Sequence, residues 1–347
     1  MKKLFLFMAA VGMVLTASAQ STDKQMAKLQ HGDETSVFYG IDAFINAYNA
    51  AADSLDVITL SSGNFSSGIV ISKSISIYGA GCEDDTVTGM KRTTINSDLR
   101  MLATNTVNGD GETITDGLRP NGCHFEGLYV EGDISYAPEN YNTPLQNLTI
   151  ARCSMKRFYI RSSRLIDCTV RQSVIRNQVY NQWTNATNLL FSNCYVEGEM
   201  SNNGYRPEST VCFDHCLFKY AGGEATTYTN CIMRYTPRSE AIAKRCIFID
   251  FSFTNTSSEG NWGNTPAATV WATEGEDGSY AETKDFALKD PSLYIGTDGT
   301  EVGLHGGAYP WNKIPSIPRI TECIIDTENA ANGTIKVSIK AEAQTKE

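Results

Sequence analysis

The chain has 347 residues, a formal net charge of −10 and ten cysteines. That length is ample for a sizeable core. The acidic balance argues against a general nucleic-acid partner, which would need a basic face.

The amino terminus opens with Lys2 and Lys3, then an apolar run from Leu4 to Val14, then Ala17-Ser18-Ala19. A basic tip, a short apolar stretch and a small-x-small end predict a secretory leader over residues 1–19. The expected location is therefore outside the cytoplasm: periplasmic, cell-surface or secreted. No later stretch reaches the roughly 20 apolar residues that a membrane span needs, so no transmembrane segment is expected. Residues 20–38 read as an extension ahead of the folded body.

YGIDAFINAYNAAADSL carries Ile41, Phe44, Ile45, Tyr48, Ala52 and Leu55 on one helical stripe. In the next segment Ile69, Ile71, Ile75 and Ile77 alternate with polar residues, which is strand periodicity. Gly63, Gly68, Gly79 and Gly81 mark turns between short strands.

The middle of the chain repeats. Segments aligned at Cys123, Cys153, Cys168, Cys194, Cys216, Cys231 and Cys246 each carry an apolar residue two positions on: Phe125, Met155, Val170, Val196, Phe218, Met233 and Phe248. Residues i and i+2 of a strand share a face, so each Cys and its partner point inward and recur once per coil. Cys153, Cys168, Cys194, Cys216, Cys231 and Cys246 are expected to stack as a core ladder of free thiols. The spacings of 30, 15, 26, 22, 15 and 15 are irregular, and leave open whether all stand on one sheet.

One amphipathic helix followed by short strands ending in SISIYGAG resembles the start of pectin-lyase-like right-handed β-helix proteins. KDFALKDPSLYIGTDGTEVGLHGGAYPW resembles the closing segment of secreted bacterial members. The resemblance implies an all-β fold: a right-handed parallel β-helix over 39–312, its first coil capped by the helix. Asp298 and Glu301 are then turn residues. The intervening Gly-, Ser- and Thr-rich stretch from Phe253 reads as loop, and 313–347 as a Pro-rich segment with one last strand.

Site candidates follow. CFDHC offers Cys212, His215 and Cys216, types that suit zinc, but a strand would hold the two thiols about 13 Å apart, so two core cysteines are the simpler reading. The same D-H-C stretch resembles one in pectate lyases, which implies calcium at Asp214; the R-x-P-x-x-R stretch of that family has no counterpart here. Lys156 and Arg171, like Arg161 and Arg176, are 15 residues apart. Stacked in register, and joined by Arg157 and Arg164, they make a basic island suited to an acidic glycan, or a solvated face balanced by neighbouring acids. Glu126, Glu131, Asp133, Glu197 and Glu199 are the carboxylates available for paired acid catalysis. NGDGETITDG, with Asn108, Asp110 and Glu112, is a polar loop or a lone calcium site; no other cofactor is expected.

No nucleophile or nucleotide motif occurs. The leading expectation is an exported β-helix protein that binds polysaccharide. The alternatives are a polysaccharide lyase or glycoside hydrolase acting on an acidic polymer, and a cell-surface adhesin or structural protein. Tyr195, Trp183 and Trp262 are the aromatics expected to be exposed for sugar or protein contact.

Overall fold

The structure, a computed structural model, describes residues 25–52, 54–66, 69–86, 89–103, 106–107, 113–114, 119–136, 143–161, 164–182, 185–198, 200–203, 210–220, 226–235, 241–253, 258–273, 276–325 and 337–342. The leader stretch, Trp183, Glu199 and the Asn108–Asp110–Glu112 loop lie outside these. Among the described residues no helix is long and apolar enough to cross a membrane.

The body is a parallel β-helix. Sheet A runs through Ser54–Leu60, Ser74–Tyr78, His124–Glu126, Thr149–Ala151, Arg164–Arg171, Asn185–Ser192, Val211–Asp214, Thr226–Thr229 and Ile242–Lys244, all paired in parallel. Sheet B runs alongside, through Tyr129–Val130, Ser154–Arg161, Val174–Gln182, Tyr195–Val196, Leu217–Phe218, Ile232–Met233 and Ile247–Ile249 to Trp262–Thr265. A third row, Leu99–Met101 and Ile134–Tyr136, joins the far ends of the two long sheet B strands. Coils are wide early and tight late. In sheet A, His124, Thr149, Thr169, Leu190, Cys212, Thr227 and Ile242 occupy successive rungs, so the repeat falls from 25 residues to 15.

The first coil is closed as its sequence predicts, though by less of the stripe. The helix spans Ala43–Ala50 and buries Ala43, Phe44, Ala47 and Tyr48, while Ile41 and Leu55 are exposed outside it. Its last carbonyls are answered by Lys73, whose Nζ donates to Tyr48 O (3.0 Å) and Ala51 O (2.6 Å), a cation at the negative end of the helix. A hairpin of Met26–His31 and Glu34–Tyr39 adds two antiparallel strands to the same sheet end. Ile69, Ile71, Ile75 and Ile77 are all buried, as their alternation requires.

The cysteine ladder needs one correction. Pairing of Ser154, Val174, Tyr195, Leu217, Ile232 and Ile247 across sheet B puts Cys153, Ser173, Cys194, Cys216, Cys231 and Cys246 on successive rungs. Cys168 is not among them. It pairs with Leu189 in sheet A, on the column that also holds Cys123, Leu148 and Val211. Ser173 stands in its place. The irregular spacings arise because the sequence mixes two columns. Along the sheet B column each backbone N–H can donate to the next side chain: Cys153 N to Ser173 Oγ (3.2 Å), Cys194 N to Cys216 Sγ (3.4 Å), Cys216 N to Cys231 Sγ (3.4 Å), and Cys246 N to Asn261 Oδ1 (2.8 Å) at the end. The nine described cysteines are free, and burial pushes the Cys123 and Cys153 thiols up to about 12. Cys212 is half-buried on the outer side of its strand, so only Cys216 of the CFDHC pair is a core residue.

The residue before each rung of that column turns the corner between the sheets in the left-handed region: Arg152 (φ 52°), Gln172 (49°), Asn193 (51°), His215 (53°), Asn230 (56°) and Arg245 (51°), with Gly127 and Gly260 in the flanking coils. Asn is the non-glycine residue that tolerates this conformation best.

The carboxy-terminal third covers one side of the solenoid. Val174, Tyr195, Leu217, Ile232 and Ile247 point out of sheet B and form a second core with Val270, Trp271, Phe286, Leu288, Tyr294, Val302 and Leu304. Residues 297–316 then run back along the corner column as a strap. Asn230 Oδ1 accepts from Thr297 N (2.8 Å), and His215 Nε2 meets Thr300 Oγ1 (3.1 Å). Asn193 Nδ2 donates to Leu304 O (2.9 Å) and Gly306 O (2.7 Å), Gln172 Nε2 donates to Pro310 O (2.6 Å), and Glu126 Oε1 accepts from Ser316 N (2.5 Å). Gly307 (φ 76°) lets the strap lie on the imidazole, since a Cβ there would sit 2.8 Å from His215 Nδ1. Asp298 turns the strap by accepting from Thr300 N (3.1 Å), the turn role its sequence predicts.

Candidate functional site

The expected basic island does not assemble. Lys156 lies in sheet B and Arg171 in sheet A, where it pairs with Ala151 and Ser192. Arg161 pairs with Gln182, not Arg176; its side chain lies outside the described residues. A bulge between Met155 and Arg157 sets Lys156 against the Arg176–Asn177 step, so the coil repeat here is near 20 residues and the assumed step of 15 fails. Arg171 and Arg176 end on opposite edges of sheet B. Arg171 stacks on Tyr309 of the strap, 4.6 Å from the ring centre. Arg176 stacks on Tyr129 at 4.2 Å, with Arg92 on the other face at 3.8 Å. Its guanidinium donates to Tyr129 Oη and Val130 O, and to Glu131 O at 3.3 Å. Arg157 is bound to Asp133 by three contacts of 2.6–3.1 Å, and Arg164 is exposed at a strand start.

Arg176 does border a cleft of about 400 Å³, with Asn177, Gln178, Glu197, Gly198 and Tyr220. Its geometry follows from the ladder. Two residues beyond the paired Ile175, Val196, Phe218 and Met233 come Asn177, Gly198, Tyr220 and Tyr235, one per coil. Gly198 sits flat on its neighbour: a Cβ there would lie 1.7 Å from Asn177 O. The column therefore lacks a side chain at one rung. With strands about 4.8 Å apart, the gap from Asn177 to Tyr220 spans about 10 Å. Tyr220 is backed by Tyr235, the rings stacked at 4.6 Å and 16°. Both are exposed, 42% and 46%. Exposed, paired aromatics beside a notch were not legible in the sequence, because neither tyrosine lies near the other in the chain.

Glu197 floors the cleft. It accepts from Lys219 Nζ (2.5 Å) and Tyr195 Oη (2.5 Å). The Glu197 bond and charge hold the Lys219 ammonium above its ordinary range, and burial followed by the Glu197 bond raises the Tyr195 phenol. Tyr195 is wholly buried under Tyr280 and Phe286, and Trp262 is half-buried edge-on to Tyr294, so neither serves as the exposed aromatic expected of it.

Of the described candidate carboxylates only Glu197 lines this cleft. Glu126 is buried between Arg152 (2.8 Å), His124 (2.9 Å) and Ser316. Burial opposes its ionisation, but these bonds and the Arg152 charge outweigh it and pull its carboxyl down to about 2. Asp214 is half-exposed and accepts from Asn230 Nδ2 (3.0 Å), a corner contact under the strap. Among the described residues no group of three His, Cys, Asp or Glu side chains could hold a metal ion.

On the third row a second aromatic pair, Tyr159 and Tyr180, stacks at 5.1 Å and 32°. Tyr180 lies two residues beyond Gln178 on one strand, on the same face and about 7 Å along it.

Comparison of the chain with family models, curated proteins and solved structures finds no match to any of them.

Proposed function

We propose that this protein binds polysaccharide without cleaving it, and that the Gly198 notch is its principal sugar subsite. The carrying observation is the exposed Tyr220 ring, backed by Tyr235 and standing over a gap bordered by the Asn177 and Gln178 side-chain amides. Aromatic faces and amides are the groups that meet the C–H face and the hydroxyls of a sugar ring. The Tyr159–Tyr180 pair farther along the same strand extends the contact to a chain of sugars. Binding is preferred to hydrolysis because hydrolysis needs two carboxylates across the bond, and Glu197 stands alone among the described lining residues, held by Lys219 and Tyr195. It is preferred to lysis because the Arg176 donors are turned onto Tyr129 and backbone carbonyls.

The proposal includes export to the periplasm, cell surface or medium, on the strength of the amino-terminal 19 residues. It includes kinship with pectin-lyase-like proteins, on the strength of the helix, the SISIYGAG start and the closing segment. A panel of neutral and acidic polysaccharides, with and without calcium, tests the function, read for binding and for new reducing or unsaturated ends. Binding without new ends is the expected result. New ends on an acidic polymer would replace it with the lyase or hydrolase reading. No binding to any polymer would leave an adhesive or structural role.

A further inference from the structure

The sequence points to an acidic polymer through its arginines and lysines. The described geometry points elsewhere. Each cation bordering the notch is already answered. Arg176 is stacked on Tyr129 and bonded to Val130 O and Glu131 O. Lys219 holds Glu197 at 2.5 Å, and Arg234 on the next coil lies 3.5 Å from Asp277. Lys156, one rung before Arg176, stands beside the exposed Glu131, since Val130 and Met155 are paired. An incoming carboxylate would have to break one of these contacts, and it would meet the Glu197 carboxylate at the cleft floor. The remaining polar groups on the lining, Asn177 and Gln178, carry amides without charge. An amide presents a donor and an acceptor together, which matches a hydroxyl and gains nothing special from an anion.

We infer that the notch takes a neutral sugar, a hexose or pentose unit without a uronate or sulfate group, seated against the Tyr220 ring with its hydroxyls on Asn177 and Gln178. This rests on the glycan-binding proposal and narrows it. Recognition of this kind gains its free energy from stacking and neutral hydrogen bonds. It is therefore insensitive to ionic strength, whereas a carboxylate held by Arg or Lys at a surface weakens as salt screens it.

The test compares a neutral glucan, xylan or mannan panel with polygalacturonate and alginate, on the full chain, by titration calorimetry at 0.05 and 0.5 M NaCl. The expected result is binding of at least one neutral polymer, with an affinity that changes less than about twofold across that salt range. Tyr220→Ala should weaken it about tenfold or more, while Tyr220→Phe, which keeps the ring, should retain it. Circular dichroism and thermal melting of both variants establish that they are folded; Tyr220 is a surface side chain. Binding confined to the uronate polymers and weakened severalfold by salt would overturn the inference and leave the glycan-binding proposal standing. Neutral-polymer binding that survives Tyr220→Ala would place the sugar elsewhere and overturn the inference as well. Binding of neither class would overturn the proposal itself, and the inference with it.

Discussion

Two side-chain columns flank sheet B, one on each edge, and they use the same chemistry to opposite ends. On the covered edge Gln172, Asn193 and Asn230 present amides at successive corners, and the strap consumes them through backbone groups at Pro310, Leu304, Gly306 and Thr297. On the open edge Asn177 and Gln178 present amides to a cleft, beside Tyr220 and Tyr235. Residue type does not distinguish the columns; coverage does. A buried amide whose partners are all within the chain is a structural element. The same group at a gap left by Gly198 is available to a ligand.

The largest effect expected from breaking this contrast is at Asn193. Asn193→Ala leaves two buried carbonyls without their donor and puts alanine at φ 51°. A loss of about 3 kcal/mol in urea unfolding is expected, from the unmet polar groups and the backbone strain together. Asn177→Ala on the open edge should cost about 0.5 kcal/mol or less, as surface substitutions do. Equal losses at the two positions would erase the distinction between the columns.

Glu126 sharpens the same contrast through pH, because it anchors the far end of the strap at Ser316. Its folded carboxyl titrates near 2, below the ordinary 4.5. Its contribution is therefore fully present above the unfolded value and is lost as pH falls from about 5 toward 2. The shift corresponds to about 3 kcal/mol at most. Glu126→Gln should be less stable than the parent at pH 7, and the gap should narrow on acidification to pH 3. A gap that is constant with pH would detach the strap contact from the carboxylate's charge.

The smallest effect concerns the inner column that both edges share. Ser173 Oγ donates to Arg171 O (2.7 Å) much as Cys194 Sγ does to Ser192 O (3.3 Å) and Cys153 Sγ to Ala151 O (3.3 Å). Ser173→Cys fills the rung with the residue its neighbours use, so a stability change within about 1 kcal/mol is expected on thermal melting. A larger loss would mean that the Ser173 rung is narrower than the rest.

The fold was legible where the periodicity is local. Ile69, Ile71, Ile75 and Ile77 alternate in one stretch, and Cys with its i+2 partner marks an inward pair at every coil. Stacking between coils was not legible, because one bulged residue shifts every contact beyond it. The bulge at Lys156 moved that side chain from Arg171 to the Arg176 step and dissolved the basic island. Cys168 failed for a related reason. The left-handed residue plus Cys occurs at two kinds of corner, after Asp167 (φ 54°) as well as after Arg152 or His215, and the motif alone does not say which. Burial by the carboxy-terminal third was hidden too: Tyr195 reads as an outward strand residue and is one, but Phe286 and Tyr280 lie on it. Of the site, Arg176 was found from sequence. Gly198, Tyr220 and Tyr235 were missed, since their meaning lies in adjacency across coils.

The strap also sets the order of events when the chain is made. Gln172 waits for Pro310, 138 residues later, and Glu126 waits for Ser316, 190 residues later. Coils can zip up as they emerge, each on the one before. The outward apolar row of Val174, Tyr195, Leu217, Ile232 and Ile247 then stands bare until the last third arrives. A stacked but unstrapped solenoid is thus an obligatory late intermediate, with a sticky stripe down one side. Contacts this distant in sequence form slowly, so this interval is the time at which the nascent protein is most prone to aggregate and most in need of a chaperone.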